Sequence, residues 1–133
     1  VMINDSKSTS YSSSEELLKM HNNIYWLVGG IPKKKDKLNL SKNNFKDIQV
    51  YIFGKNYQKF YNDLKNKAKL QKFKNLKKAL DSIIIDINNN NRKKNIILFS
   101  PASASFDIFK NFEDRGLYFN KLIQKYINER KIF

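Results

Sequence analysis

Apolar residues follow two rhythms along the 133-residue chain: short continuous runs, and stripes at helical spacing that fall between them. Residues 24–28, Ile-Tyr-Trp-Leu-Val, are a run rich in β-formers and closed by Gly29 and Gly30. Residues 48–53 are a second, ending at Gly54. Residues 95–99 are a third, apolar enough to be covered on both faces and therefore the candidate central strand. Tyr57, Phe60, Tyr61, Leu64 and Ala68 lie at helical spacing, as do Leu76, Leu80, Ile83, Ile84 and Ile87. Phe119, Leu122, Ile123 and Tyr126 predict a last helix over about residues 111–130.

Punctuation supports this division. Ser12 and Glu15 have the Ser-x-x-Glu spacing of a capping box, which predicts a first helix running to about His21. Residues 70–73 read as a short edge strand, and residues 88–94, four Asn followed by Arg92, Lys93 and Lys94, as a solvated turn. Residues 1–3 are apolar but too few to make a good strand alone, and read as the stump of an element of a longer polypeptide. Strands alternating with helices predict one α/β domain, a three-layer αβα sandwich with a mostly parallel sheet. Ligands of such sheets bind beyond the carboxyl ends of the strands. The loops to inspect are therefore residues 4–10, 29–35, 54–56 and 100–105.

Composition narrows the chemistry. With no Cys, neither a disulfide framework nor a thiolate metal site is possible, and the single histidine, His21, cannot build a zinc site alone. It reads as an exposed residue near a helix end. No apolar run is long enough to cross a bilayer, and the first residues lack the features of a secretory signal, so a soluble cytoplasmic protein is expected. The net charge of +14 attracts anions, either small substrates or nucleic acid. Lysines spread over nearly every helix favour a solvated basic surface. A basic nucleic-acid-binding α/β module is the alternative, and it needs aromatic residues free to stack on bases.

Three loops carry candidate chemistry. Residues 4–10, Asn-Asp-Ser-Lys-Ser-Thr-Ser, are dense in hydrogen-bonding groups. Gly29-Gly-Ile-Pro-Lys33 follows a strand and permits close backbone approach to a ligand, with Lys33 placed to hold a carboxylate. It is not a P-loop, and no Gly-x-Gly-x-x-Gly fingerprint occurs in the chain. Residues 100–105, Ser-Pro-Ala-Ser-Ala-Ser, combine small side chains with Ser105, which can cap the following turn or donate to an anion.

Together these segments, with residues 106–116 ending in Arg115-Gly116, closely resemble in order and spacing the C-terminal domain of the D-glutamate-adding Mur ligases of peptidoglycan synthesis. The resemblance implies a Rossmann-like fold and one domain, residues 1–133, of a three-domain ligase whose N-terminal UDP-binding and central ATPase domains are absent here. It implies an ATP-dependent ligase that adds D-glutamate to UDP-N-acetylmuramoyl-L-alanine through an acyl phosphate. ATP and Mg2+ are held mainly by the central domain, and the isolated domain is inactive. Thr9, Lys33 and Ser105 match positions that hold D-glutamate, with the backbone around Phe106 and Phe112 closing over its side-chain carboxylate. Asp5 and Lys7 match positions facing the nucleotide. The resemblance also implies that the partners are these substrates and the ligase's own other domains, with no membrane and no nucleic acid among them. Departures occur at residues 34–37, Lys-Lys-Asp-Lys, where a glycine is frequent, and at Ser8, Ser103 and Phe106.

Overall fold

The computed structural model describes residues 1–90, 94–104 and 109–129. Five strands, β1 (Met2–Asn4), β2 (Ile24–Gly29), β3 (Ile48–Phe53), β4 (Lys69–Phe73) and β5 (Ile96–Phe99), form one sheet in the order β1-β5-β2-β3-β4. Every pairing is parallel. Helices α1 (Tyr11–Met20), α2 (Gln58–Leu64), α3 (Leu76–Asn88) and α4 (Phe112–Asn128) connect or follow the strands, with a 3-10 turn at Lys42–Phe45.

Strand alternation sends successive side chains to opposite faces and so builds two cores. Tyr25, Leu27, Tyr51, Phe53, Ile97 and Phe99 meet α3 and α4 on one face. Ile24, Trp26, Val28, Val50, Ile52 and Leu98 meet α1 and α2 on the other. The expected three-layer αβα sandwich with a parallel sheet is therefore observed, and its sheet is wholly parallel rather than mostly so. Residues 1–3 are more than a stump, because Met2 to Asn4 pair with Ile97 to Phe99 and close one edge of the sheet. That makes β5 an interior strand between β1 and β2, while the middle of the sheet is β2, every residue of which is buried. β4 is the other edge, where exposed charged residues discourage pairing with another chain.

The first helix does not use the predicted capping box. Its N-cap is Ser10, which makes no side-chain capping bond. Glu15 is buried and accepts the Asn39 N–H at 3.3 Å instead. The Asp36 carboxylate takes the Tyr11 N–H at 2.8 Å, so the helix end is satisfied from another loop. Asn75 and Asn111 cap α3 and α4 by accepting the N–H groups of Lys78 and Asp114. His21 ends α1 and is half-buried rather than exposed. The parts of the expected turn and last helix that fall on residues 91–93 and 130 lie outside the described residues.

Candidate functional site

Strand order departs from chain order where β5 is inserted between β1 and β2, and the carboxyl ends of these three strands carry the small-residue loops. The loops are sewn together by backbone. Asp5 N–H donates to Phe99 O at 2.7 Å, Ser103 N–H to Ser8 O at 3.3 Å, and Gly29 N–H to Pro101 O at 3.2 Å. Ile31 and Ala104 exchange two backbone bonds as an antiparallel bridge. Ala102 adopts a left-handed conformation, φ 56°, in a position that glycine usually fills, and its neighbours hold it there.

Beneath the backbone lies a buried hydroxyl network. Ser100 Oγ donates to the Asp5 carboxylate at 2.8 Å and meets Ser14 Oγ at 2.5 Å, and Ser14 meets Ser8 Oγ at 2.7 Å. Trp26 Nε1 donates to Ser100 O at 2.7 Å, which places the residue that starts this loop over the middle of the sheet. Ser8 and Ser103, two of the positions where the chain departs from the pattern it resembles, are both fully buried. Ser103 Oγ donates to Gly29 O, so the extra hydroxyl is satisfied rather than merely tolerated.

Arg115 is the residue that sequence reasoning placed least well. An ion pair with a flanking acid, Glu113 or Asp114, is a natural expectation, but both are exposed in the first turn of α4 while Arg115 is only 1% exposed. Its guanidinium donates to Ser6 Oγ at 3.2 Å, Ser6 O at 2.7 Å, Ser103 O at 3.0 Å and Ser8 O at 3.4 Å. It thus spans the loops after β1 and β5. Gly116 explains how α4 comes close enough, since a Cβ there would stand 3.1 Å from Ser6 Cβ. Gly30, at φ 118°, lies against the same cluster, and a Cβ would fall 2.6 Å from Ala104 O and 3.3 Å from the guanidinium.

The predicted site residues separate into three groups. Asp5, Lys7 and Thr9 stand on the loop after β1, with Asp5 and Thr9 half-buried and Lys7 exposed. Burial pushes the Asp5 carboxyl above its usual range, although the Ser100 hydroxyl and the nearby Lys7 ammonium pull it down. Lys33 stands exposed on the loop after β2, which the Ile31 bridge ties to the loop after β5. Phe112 opens α4 with its side chain partly exposed, and its carbonyl accepts the Ser6 hydroxyl at 2.7 Å. Ser105 and Phe106 lie outside the described residues; Ala104, which precedes them, is held by the bridge. The structure therefore gathers the three loops at one end of the sheet.

Among the described residues no group of three or more His, Cys, Asp or Glu stands together as a metal site, and no helix is long and apolar enough to cross a membrane. The aromatic residues are mostly core: Tyr11, Tyr25, Trp26, Phe45, Tyr51, Phe53, Phe60, Phe99, Phe119 and Tyr126 are buried. Tyr57 and Tyr61 are already covered by the Lys72 ammonium at 4.5 and 5.1 Å. Among the described residues most ring surface is therefore already covered.

Fold and loops together define a Rossmann-like α/β domain whose candidate ligand end is formed by the loops after β1, β2 and β5. No family model matches the chain. It is 39% identical over 120 residues, 90% of its length, to the UDP-N-acetylmuramoylalanine–D-glutamate ligase of Rickettsia conorii, and 36% identical over 126 residues to that of Rickettsia felis. The ligase of the Wolbachia of Brugia malayi is 34% identical over 125 residues. The chain spans about a quarter of the length of these curated relatives, 24%, 28% and 25% respectively. It belongs to the Mur ligase family, as a domain-sized piece similar to the D-glutamate ligases.

Proposed function

We propose that the chain is the C-terminal, D-glutamate-binding domain of a cytoplasmic bacterial ligase that joins D-glutamate to UDP-N-acetylmuramoyl-L-alanine in cell-wall synthesis. The observation that carries this reading is similarity along nearly the whole chain to ligases of that name, with the matching loops at the carboxyl ends of the strands. In the proposed reaction ATP transfers its terminal phosphoryl group to the substrate carboxylate and leaves as ADP. The D-glutamate amine attacks the acyl carbonyl, phosphate departs, and the amine loses a proton. ATP and Mg2+ are held mainly by parts of the ligase outside this chain.

The domain's contribution is to hold the amine in place. A dicarboxylate needs a cation, hydroxyls and backbone donors. Lys33, Thr9 and Ser105 supply the first two, and the backbone around Phe106 and Phe112 the third. Charge-assisted bonds of this kind contribute about 1.5–3 kcal/mol each. Asp5 and Lys7 face the nucleotide. A carboxyl kept partly buried at a stability cost is typical of a group retained for function.

The test is a chimera in which this chain replaces the matching segment of the Rickettsia conorii ligase. It should form the D-glutamate adduct, while the chain alone should release no phosphate from ATP. Ser105→Ala in the chimera should raise the Michaelis constant for D-glutamate by about tenfold. A chimera that forms no adduct although folded, or an unchanged constant in the variant, counts against the reading.

A further inference from the structure

The turn at residues 33–36, in the loop after β2, carries no glycine and is fixed by a set of backbone and side-chain bonds. Asp36 N–H donates to Lys33 O at 3.1 Å and closes it. The Asp36 carboxylate accepts the N–H of Tyr11, the first residue of α1, at 2.8 Å. Lys59, on α2, donates from Nζ to Asp36 O at 2.7 Å and to the Asp63 carboxylate at 2.7 Å. Tyr11 completes the ring: its hydroxyl donates to Asp63 at 2.7 Å, and its aromatic face lies 4.9 Å beneath the Lys59 ammonium. Tyr11 is itself 1% exposed and packs edge-on against Phe60, so the anchor is rooted in the core.

We propose that Asp36 and Lys59 are positioning residues that fix the Lys33 backbone so that its ammonium meets the ligand from one direction. This rests on the D-glutamate reading above, in which Lys33 is the cation. The Lys33 ammonium makes none of the described hydrogen bonds or ion pairs, so its stem stays free while its backbone is held at residues 33 and 36. A lysine on a four-carbon stem reaches a fixed carboxylate reproducibly only when its Cα is fixed.

The test is a double-mutant cycle on the 133-residue chain, read by nuclear magnetic resonance titration with D-glutamate. Asp36→Ala and Lys59→Met should each weaken binding about fivefold when Lys33 is present, and by less than about 1.5-fold in a Lys33→Met background. Loss of the α1 cap lowers stability in both backgrounds, so stability alone does not produce this pattern. Equal weakening in both backgrounds overturns the inference. If Lys33→Met binds as tightly as the unmodified chain, the D-glutamate role of Lys33 falls first, and the inference with it. If the unmodified chain shows no binding, the reading of the site fails separately. Amide exchange at residue 36 then decides the anchor: accelerated exchange in Lys59→Met supports it, and unchanged exchange refutes it.

Discussion

The two ends of the sheet are built differently. At the amino ends the strands start from exposed turns linked by plain backbone bonds, such as Ile24 N–H to Asp47 O and Ile96 N–H to Asn23 O. The concave surface there, about 570 Å³, is lined by Lys42, Lys46, Lys65, Lys67 and Lys69, of which all but half-buried Lys67 are exposed. At the carboxyl ends of β1, β2 and β5 the chain runs into buried serines, a left-handed alanine and an arginine with almost no exposed surface. Exposed lysines cost the fold little and can be changed freely. Buried hydroxyls and a buried guanidinium must each find partners, so the carboxyl-end loops hold one geometry. Preorganised polar burial, rather than the density of positive charge, therefore distinguishes the carboxyl end, where the ligand is proposed to bind.

Substitutions can sharpen that contrast. Arg115→Met should have the largest effect, a loss of about 3 kcal/mol or more, because the carbonyls of Ser6 and Ser103 would stay buried without their donor. Denaturant unfolding measures it, and a loss below about 1 kcal/mol would show that the guanidinium does not hold these loops. Gly30→Ala should cost about 2 kcal/mol, from its positive φ and the approach of Ala104 O. Lys46→Ala and Lys69→Ala at the opposite end should each stay within about 0.5 kcal/mol of the unmodified chain.

Asp5→Asn should act in the other direction and more weakly. A carboxyl raised by burial weighs against the fold while it is ionised, and that cost disappears as pH falls through the raised value toward the ordinary 3.8. The substitution should therefore raise the thermal midpoint at pH 7 by about 1–2 °C, with the gain vanishing near pH 4. A midpoint lowered at pH 7 would mean that the Ser100 bond outweighs the cost of burial.

How much of this was legible in the chain depended on whether a feature is periodic. The strands at residues 24–28 and 48–53 and the stripes of α3 and α4 follow from spacing alone, because burial against a sheet imposes it. β1 was not legible: three residues form a strand only because β5 offers a free edge, which is a property of the whole sheet. The Ser12 to Glu15 spacing misled because Asp36, distant in sequence, satisfies the helix end while Asn39 takes Glu15. The glycines and small residues marked the loops that the structure brings together at the carboxyl ends of β1, β2 and β5, and resemblance implied the roles proposed for Thr9 and Lys33. Arg115 carried no pattern that separates a buried donor from a surface charge, and its partners are mostly backbone carbonyls, which every residue possesses.

The central claim is that the carboxyl-end loops, not the lysine-rich amino end, receive the dicarboxylate. Amide shift mapping of the 133-residue chain during titration with D-glutamate tests it most directly. The account predicts saturable shifts at residues 5–9, 30–33 and 104–112, with the amino-end residues 42–49 and 65–69 unmoved. Shifts confined to the amino-end lysines would contradict it.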